Sequence, residues 1–144
     1  MSPDRDLIFK HLSEIETAVA VLEKHRSVTA GELERSIELR WTIERGLQVV
    51  IQNILDIAAH ILASEFKNEW DDYRSLIEKL GVHDVVPSIF AQELKGIAGF
   101  RNVLVHEYME VELAIVEKVL KTQLDTFREF ARYIVQYLDK PKSG

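Results

Sequence analysis

Apolar residues recur at helical spacing along nearly the whole chain, and no stretch of it alternates with the period of two that a half-buried strand needs. That single property restricts the fold to helix packed on helix. Only six Gly and three Pro interrupt the pattern, so the helices are long and the connections few.

The first helix is predicted over about Asp4 to Arg26, with Leu7, Ile8, His11, Leu12, Ile15, Val19 and Leu22 on one stripe. Thr29-Ala30-Gly31-Glu32 reads as a capping box opening a long second helix that runs to about Phe66. Its stripe is Leu33, Ile37, Trp41, Leu47, Val50, Ile51, Ile54, Ala58, Ile61 and Leu62. A short helix covers about Trp70 to Leu80, with Gly81 suited to its C-terminal cap. Pro87 opens a fourth helix reaching about Val103, and a fifth runs from about Val111 to Leu138. The expectation is one all-α domain over residues 1–144, an antiparallel bundle of about five helices with a frayed tail at 140–144. A length of 144 residues suits a single core of useful size.

Composition narrows the function. The absence of cysteine removes disulfides and thiolate chemistry. No uninterrupted apolar run is long enough for a membrane span and the N-terminus lacks the build of a signal peptide, so the expected location is cytoplasmic, without a membrane partner. A net charge of −6 disfavours broad nonspecific binding to nucleic acid and confines any phosphate contact to a few local cations.

One segment stands out against this background. On the fourth helix Phe90, Leu94, Ile97 and Leu104 form an apolar stripe, and Arg101 falls on it. An arginine so placed needs a partner or a ligand. Asn102 and His106 lie four residues apart and can touch if the helix continues, and Tyr108 follows. Arginine offers a fork of donors to phosphate oxygens, histidine moves protons near neutral pH, and asparagine can orient the imidazole. Such a set supports cleavage of RNA, whose own 2′-hydroxyl is the nucleophile, with neither metal nor cofactor. Arg101 and His106 point roughly 140° apart on a continuous helix. They converge if the helix ends between them or if two chains share a site, which places the site at or beside a two-fold interface. The same residue types also fit an ordinary salt-bridged or capping pair.

Arg101-Asn102-x-x-x-His106-x-Tyr108 resembles the R-x-x-x-x-H-x-Y motif of HEPN-domain toxins of the HepT type. The resemblance extends to Glu44-Arg45-Gly46-Leu47-Gln48, Ile51-Gln52 and Leu55-Asp56-Ile57-Ala58 with His60, and to the run from Tyr73 through Gly81 and Pro87 to Asn102. It covers about residues 5 to 138. It implies a metal-independent endoribonuclease acting as a homodimer, possible tRNA cleavage, Arg101 and His106 as the catalytic pair and Asn102 as its polar neighbour. It further implies an MntA-type nucleotidyltransferase antitoxin that attaches AMP to Tyr108. The alternative within the resemblance is a catalytically silent HEPN module that only binds such a nucleotidyltransferase.

Other positions carry weaker expectations. Glu44, Gln48, Gln52, Asp56 and His60 recur every four residues, and Asp56 and His60 are candidates to line the cleft. Arg40 and Arg45 fit exposed helix positions beside Glu38 and Glu44, and Trp41 and Trp70 fit core or interface packing better than base stacking. The histidines show no metal-ligand spacing.

Overall fold

The computed structural model describes residues 2–67, 70–105 and 112–140. Among these the regular structure is helical throughout. In chain order the helices are α1 (Arg5–Glu23), α2 (Ala30–Arg35), α3 (Ile37–Ile61), α4 (Tyr73–Val82), α5 (Ser88–Leu94), α6 (Gly96–Val105), α7 (Leu113–Thr122) and α8 (Leu124–Asp139). A π-helical turn, Leu62–Phe66, prolongs α3 and stops where Lys67 takes a left-handed φ of 50°.

The bundle expected from the periodicity is present, but three of its helices are divided. Ser36 splits the long second helix. Its backbone is extended, and its hydroxyl accepts the Leu39 N–H at 3.2 Å, so it ends α2 and caps α3. The break resets the buried stripe. Leu33 is fully buried on α2, and on α3 the stripe begins at Ile43, leaving Ile37 and Trp41 49% and 62% exposed rather than in the core. Lys95 divides α5 from α6, and Gln123 divides α7 from α8.

Local chemistry explains the starts. Asp4 caps α1 by accepting the Leu7 N–H at 3.1 Å. Thr29 accepts the Glu32 N–H as expected, but Glu32 takes a hydrogen bond from the Thr29 hydroxyl instead of reaching back to the backbone. The reciprocal capping box lies at α4, between Asp72 and Ser75. Gly81 does not terminate α4. It is buried inside the helix's last turn, where α5 packs so closely that an added Cβ would lie 2.9 Å from the Ala91 Cβ and 3.1 Å from the Ser88 Cα.

Helix α3 is the spine, packed by α1, α4 and α6, while α8 lies on α1, α5 on α4 and α2 on α7. With its π turn it is long and apolar enough to pass for a membrane span by composition. Its apolar side is spent on the bundle, however. Ile43, Leu47, Val50, Ile51, Ile54, Ile57 and Ile61 are all fully buried, each contributing about 1.5–3 kcal/mol. No polar side chain is buried among the described residues, so everything polar on α3 is at least partly open and available to face a neighbour or a ligand.

Candidate active site

The polar side of α3 meets α6 along a short ladder. Gln48 donates from Nε2 to the Leu104 carbonyl of α6 at 2.6 Å. One turn on, Gln52 accepts from Arg101 Nε at 3.3 Å and donates from its own Nε2 to Asp56 Oδ1 at 2.9 Å. A donor on one side and an acceptor on the other fix which way the Gln52 amide points.

Arg101 is half-buried at this junction. Besides Gln52 it reaches Asn102 Oδ1 from Nη1 at 3.3 Å, and its guanidinium carbon lies 4.9 Å from the centre of the Tyr73 ring on α4. All three contacts are with neutral groups. No carboxylate neutralises Arg101 among the described residues; Asp56 is one link away, behind Gln52. The guanidinium is therefore oriented by three neutral neighbours, none of which cancels its charge. Its position on the apolar stripe of the fourth helix is explained by this contact surface. The stripe faces α3 and α4, and Arg101 occupies the point where their polar and aromatic side chains reach it.

The remaining predicted residues divide. Asn102 sits beside Arg101, with its side chain exposed. Asp56 joins the ladder through Gln52. His60 does not. Its Nε2 accepts the backbone N–H of Asp4 at 2.8 Å, so it secures the residue that caps α1 instead of lining the cleft with Asp56. Glu44 lies two turns before Gln52, where partial burial raises its carboxyl pKa against the pull of Arg40. His106 and Tyr108 lie outside the described residues, and the described part of α6 reaches Val105.

Tyr73 and Gln52 were not singled out by residue type. Gln52 belongs to the four-residue polar recurrence on α3, which gave a usable signal. Tyr73 gave none, because only the α4–α6 contact brings its ring to Arg101.

A family model described as Ribonuclease HepT-like matches residues 15–134. The chain belongs to the HepT-like ribonuclease family. Among its relatives, the tRNA nuclease HepT of Aphanizomenon flos-aquae is 29% identical over 119 residues, 81% of this chain and 80% of the relative. The mRNA nuclease HepT of Shewanella oneidensis is 23% identical over 125 residues, 87% of this chain and 93% of the relative. A solved structure of the tri-AMPylated Shewanella oneidensis HEPN toxin in complex with MNT antitoxin superposes with a TM-score of 0.81 at 22% identity, covering 92% of this chain and 99% of that one. The all-α fold is thus that of the HEPN toxins, and Arg101, His106 and Tyr108 stand at the R-x-x-x-x-H-x-Y spacing in this chain, with Asn102 following the arginine.

Proposed function

We propose that this chain is the toxin of a toxin–antitoxin pair, an endoribonuclease that needs no metal and works as a homodimer in the cytoplasm. The observation that carries the reading is the state of Arg101, held by Gln52, Asn102 and the Tyr73 ring, with no carboxylate against it among the described residues.

Arg101 binds the non-bridging oxygens of the scissile phosphate and stabilises the extra charge that develops there. His106 takes the proton of the ribose 2′-hydroxyl. The freed oxygen attacks phosphorus, the bond to the 5′-oxygen breaks, and that oxygen receives a proton from the second imidazole of the dimer. The products are a 2′,3′-cyclic phosphate and a free 5′-hydroxyl. Asn102 orients the imidazole or an oxygen of the phosphate. Two chains sharing one cleft supply the acid and the base, and they resolve the angular mismatch between Arg101 and His106 on one helix.

Tyr108 is the acceptor of AMP from an MntA-type nucleotidyltransferase antitoxin. Phosphates attached two residues beyond His106 would occupy Arg101 and repel RNA. The naming of one relative as a tRNA nuclease and another as an mRNA nuclease supports RNA as the substrate class.

The test is cleavage of RNA by purified protein in EDTA. Wild type is expected to generate cyclic-phosphate ends, and Arg101→Ala and His106→Ala to abolish them with helical circular dichroism retained. A folded wild-type dimer that leaves every RNA intact would instead make this a binding module for the nucleotidyltransferase. Tyr108→Phe is expected to lose AMP labelling; undiminished labelling would move the acceptor elsewhere.

A further inference from the structure

Trp41 is the most solvent-exposed large aromatic among the described residues, at 62%, although its helix is the spine of the bundle. At 100° per residue, Trp41, Arg45, Gln48 and Gln52 fall within roughly 60° of one another around α3. The exposed tryptophan is therefore on the same stripe as the two glutamines that meet α6. Trp41 lies about 16 Å along the axis from Gln52, and Arg45 stands between them. Exposed Arg45 reaches Gln48 Oε1 from Nη1 at 3.5 Å, as Arg101 reaches Gln52. Two arginines thus rest on neutral amides one helical turn apart, about 6 Å, with no ion-pair partner among the described residues.

We propose that Trp41 and Arg45 form a subsite for single-stranded RNA flanking the scissile phosphate, Arg45 taking a neighbouring phosphate and Trp41 stacking on a base beyond it. The inference rests on the ribonuclease reading of Arg101 and extends that site along α3. Aromatic stacking tolerates any base, since every base has a π-face, and phosphate contact by arginine is likewise blind to sequence. Ile37, half-exposed one turn before Trp41, widens the apolar platform. The acidic neighbours Glu38 and Glu44 are matched in number by Arg40 and Arg45, and Arg40 acts directly on Glu44. Trp41, Arg45, Gln48 and Gln52 themselves carry one positive charge and no negative one, on a chain whose net charge is −6. A second copy of the chain could also cover Trp41. The RNA occupant is favoured because the cations recur toward Arg101 while the apolar patch is only two side chains wide.

The test uses the full chain and uncleavable oligomers carrying 2′-O-methyl ribose, so that binding is read independently of chemistry. Fluorescence anisotropy compares a trinucleotide with a decanucleotide of the same sequence core. Wild type should bind the longer oligomer much more tightly. Trp41→Ala should reduce that gain by about tenfold and Trp41→Phe should restore most of it, as stacking requires. Arg45→Ala should reduce the gain and lower the salt dependence of decanucleotide binding by about one counterion. An undiminished length gain in both alanine variants overturns the subsite. So does a Trp41→Ala protein that sediments as a smaller species while keeping its length gain, since Trp41 then belongs to a contact between copies. Cleavage of unmodified RNA by the same samples separates this failure from failure of the ribonuclease reading. Wild type that cleaves RNA without the length effect keeps the enzyme and loses the subsite.

Discussion

Gln52 Oε1 accepts a hydrogen bond from Arg101 Nε at 3.3 Å, while the same side chain donates to Asp56 at 2.9 Å. A single amide therefore stands between the permanent cation of the site and the nearest carboxylate of the ladder. If Asp56 reached Arg101 directly, the ion pair would compete with substrate phosphate. With Gln52 interposed, the guanidinium is positioned without being neutralised by Asp56.

The first prediction follows from that arrangement. Gln52→Ala removes one positioning bond and is expected to lower kcat/KM for RNA cleavage by about tenfold, the value of one hydrogen bond to a charged group. Gln52→Glu places a carboxylate against Arg101 and is expected to cost more, mainly by raising KM as phosphate meets a neutralised cation. Steady-state kinetics on one RNA substrate check both. A glutamate variant more active than the alanine variant would contradict the role given to Gln52.

His60 separates the ladder from its apparent continuation. Its Nε2 accepts the Asp4 N–H, and Asp4 in turn caps α1. His60→Ala is expected to cost about 1 kcal/mol or less, because the freed N–H is exposed to water, and to leave kcat/KM unchanged. Urea denaturation and RNA cleavage measured on the same preparation give the two numbers. A large loss of activity at full stability would return His60 to the cleft.

These residues show what could be read before the fold was known. The helical class, the α3 stripe from Leu47 onward and the α1 stripe from Ile8 to Leu22 follow from spacing that burial enforces, whereas Leu7, expected on the α1 stripe, is 39% exposed in the first turn; the all-α class holds through every division of the helices. Ser36, Lys95 and Gln123 divide helices that apolar periodicity alone joins, because the apolar pattern continues across each break while the backbone does not. Trp41, which the spacing places on the apolar stripe, is 62% exposed for that reason: residue 36 shifts the register, and the buried stripe of α3 starts two residues later at Ile43. Tyr73 illustrates another limit. Its ring meets Arg101 only through tertiary packing of α4 on α6, and no local spacing encodes that.

Gly81 tests the packing that positions α5, and through it α6. Replacing a helical glycine by alanine ordinarily stabilises by about 1 kcal/mol. Here the new methyl would meet the Ala91 Cβ at 2.9 Å and the Ser88 Cα at 3.1 Å, the second of which is backbone and cannot rotate away. The clash outweighs the propensity gain, and Gly81→Ala is expected to destabilise by about 1–3 kcal/mol. Chemical denaturation midpoints check the sign. A more stable variant would show that α5 yields freely against α4.

The last prediction concerns acid stability at the far end of α1. Glu23 is bonded by Arg26 and lies 2.9 Å from the Arg128 guanidinium of α8, while Asp125 bridges the same two arginines at 3.2 and 3.1 Å. Hydrogen bonding from Arg26, more than the contribution of Arg128, holds the Glu23 carboxyl at about 2, below its ordinary 4.5. A carboxyl whose folded pKa is depressed binds fewer protons in the folded state than in the unfolded one. Its contribution is therefore complete above the unfolded pKa and is lost as pH falls toward the folded value. The affected window runs from about 4.5 down to about 2. The cluster is open to solvent, so its effect should weaken as salt is added. Urea midpoints of wild type and Glu23→Gln, measured across that window at low and high salt, should converge toward acid pH and lie apart above it. A gap between the two proteins that stays constant across the window would show that the Glu23 carboxylate adds no pH-dependent stability to the α1–α8 contact.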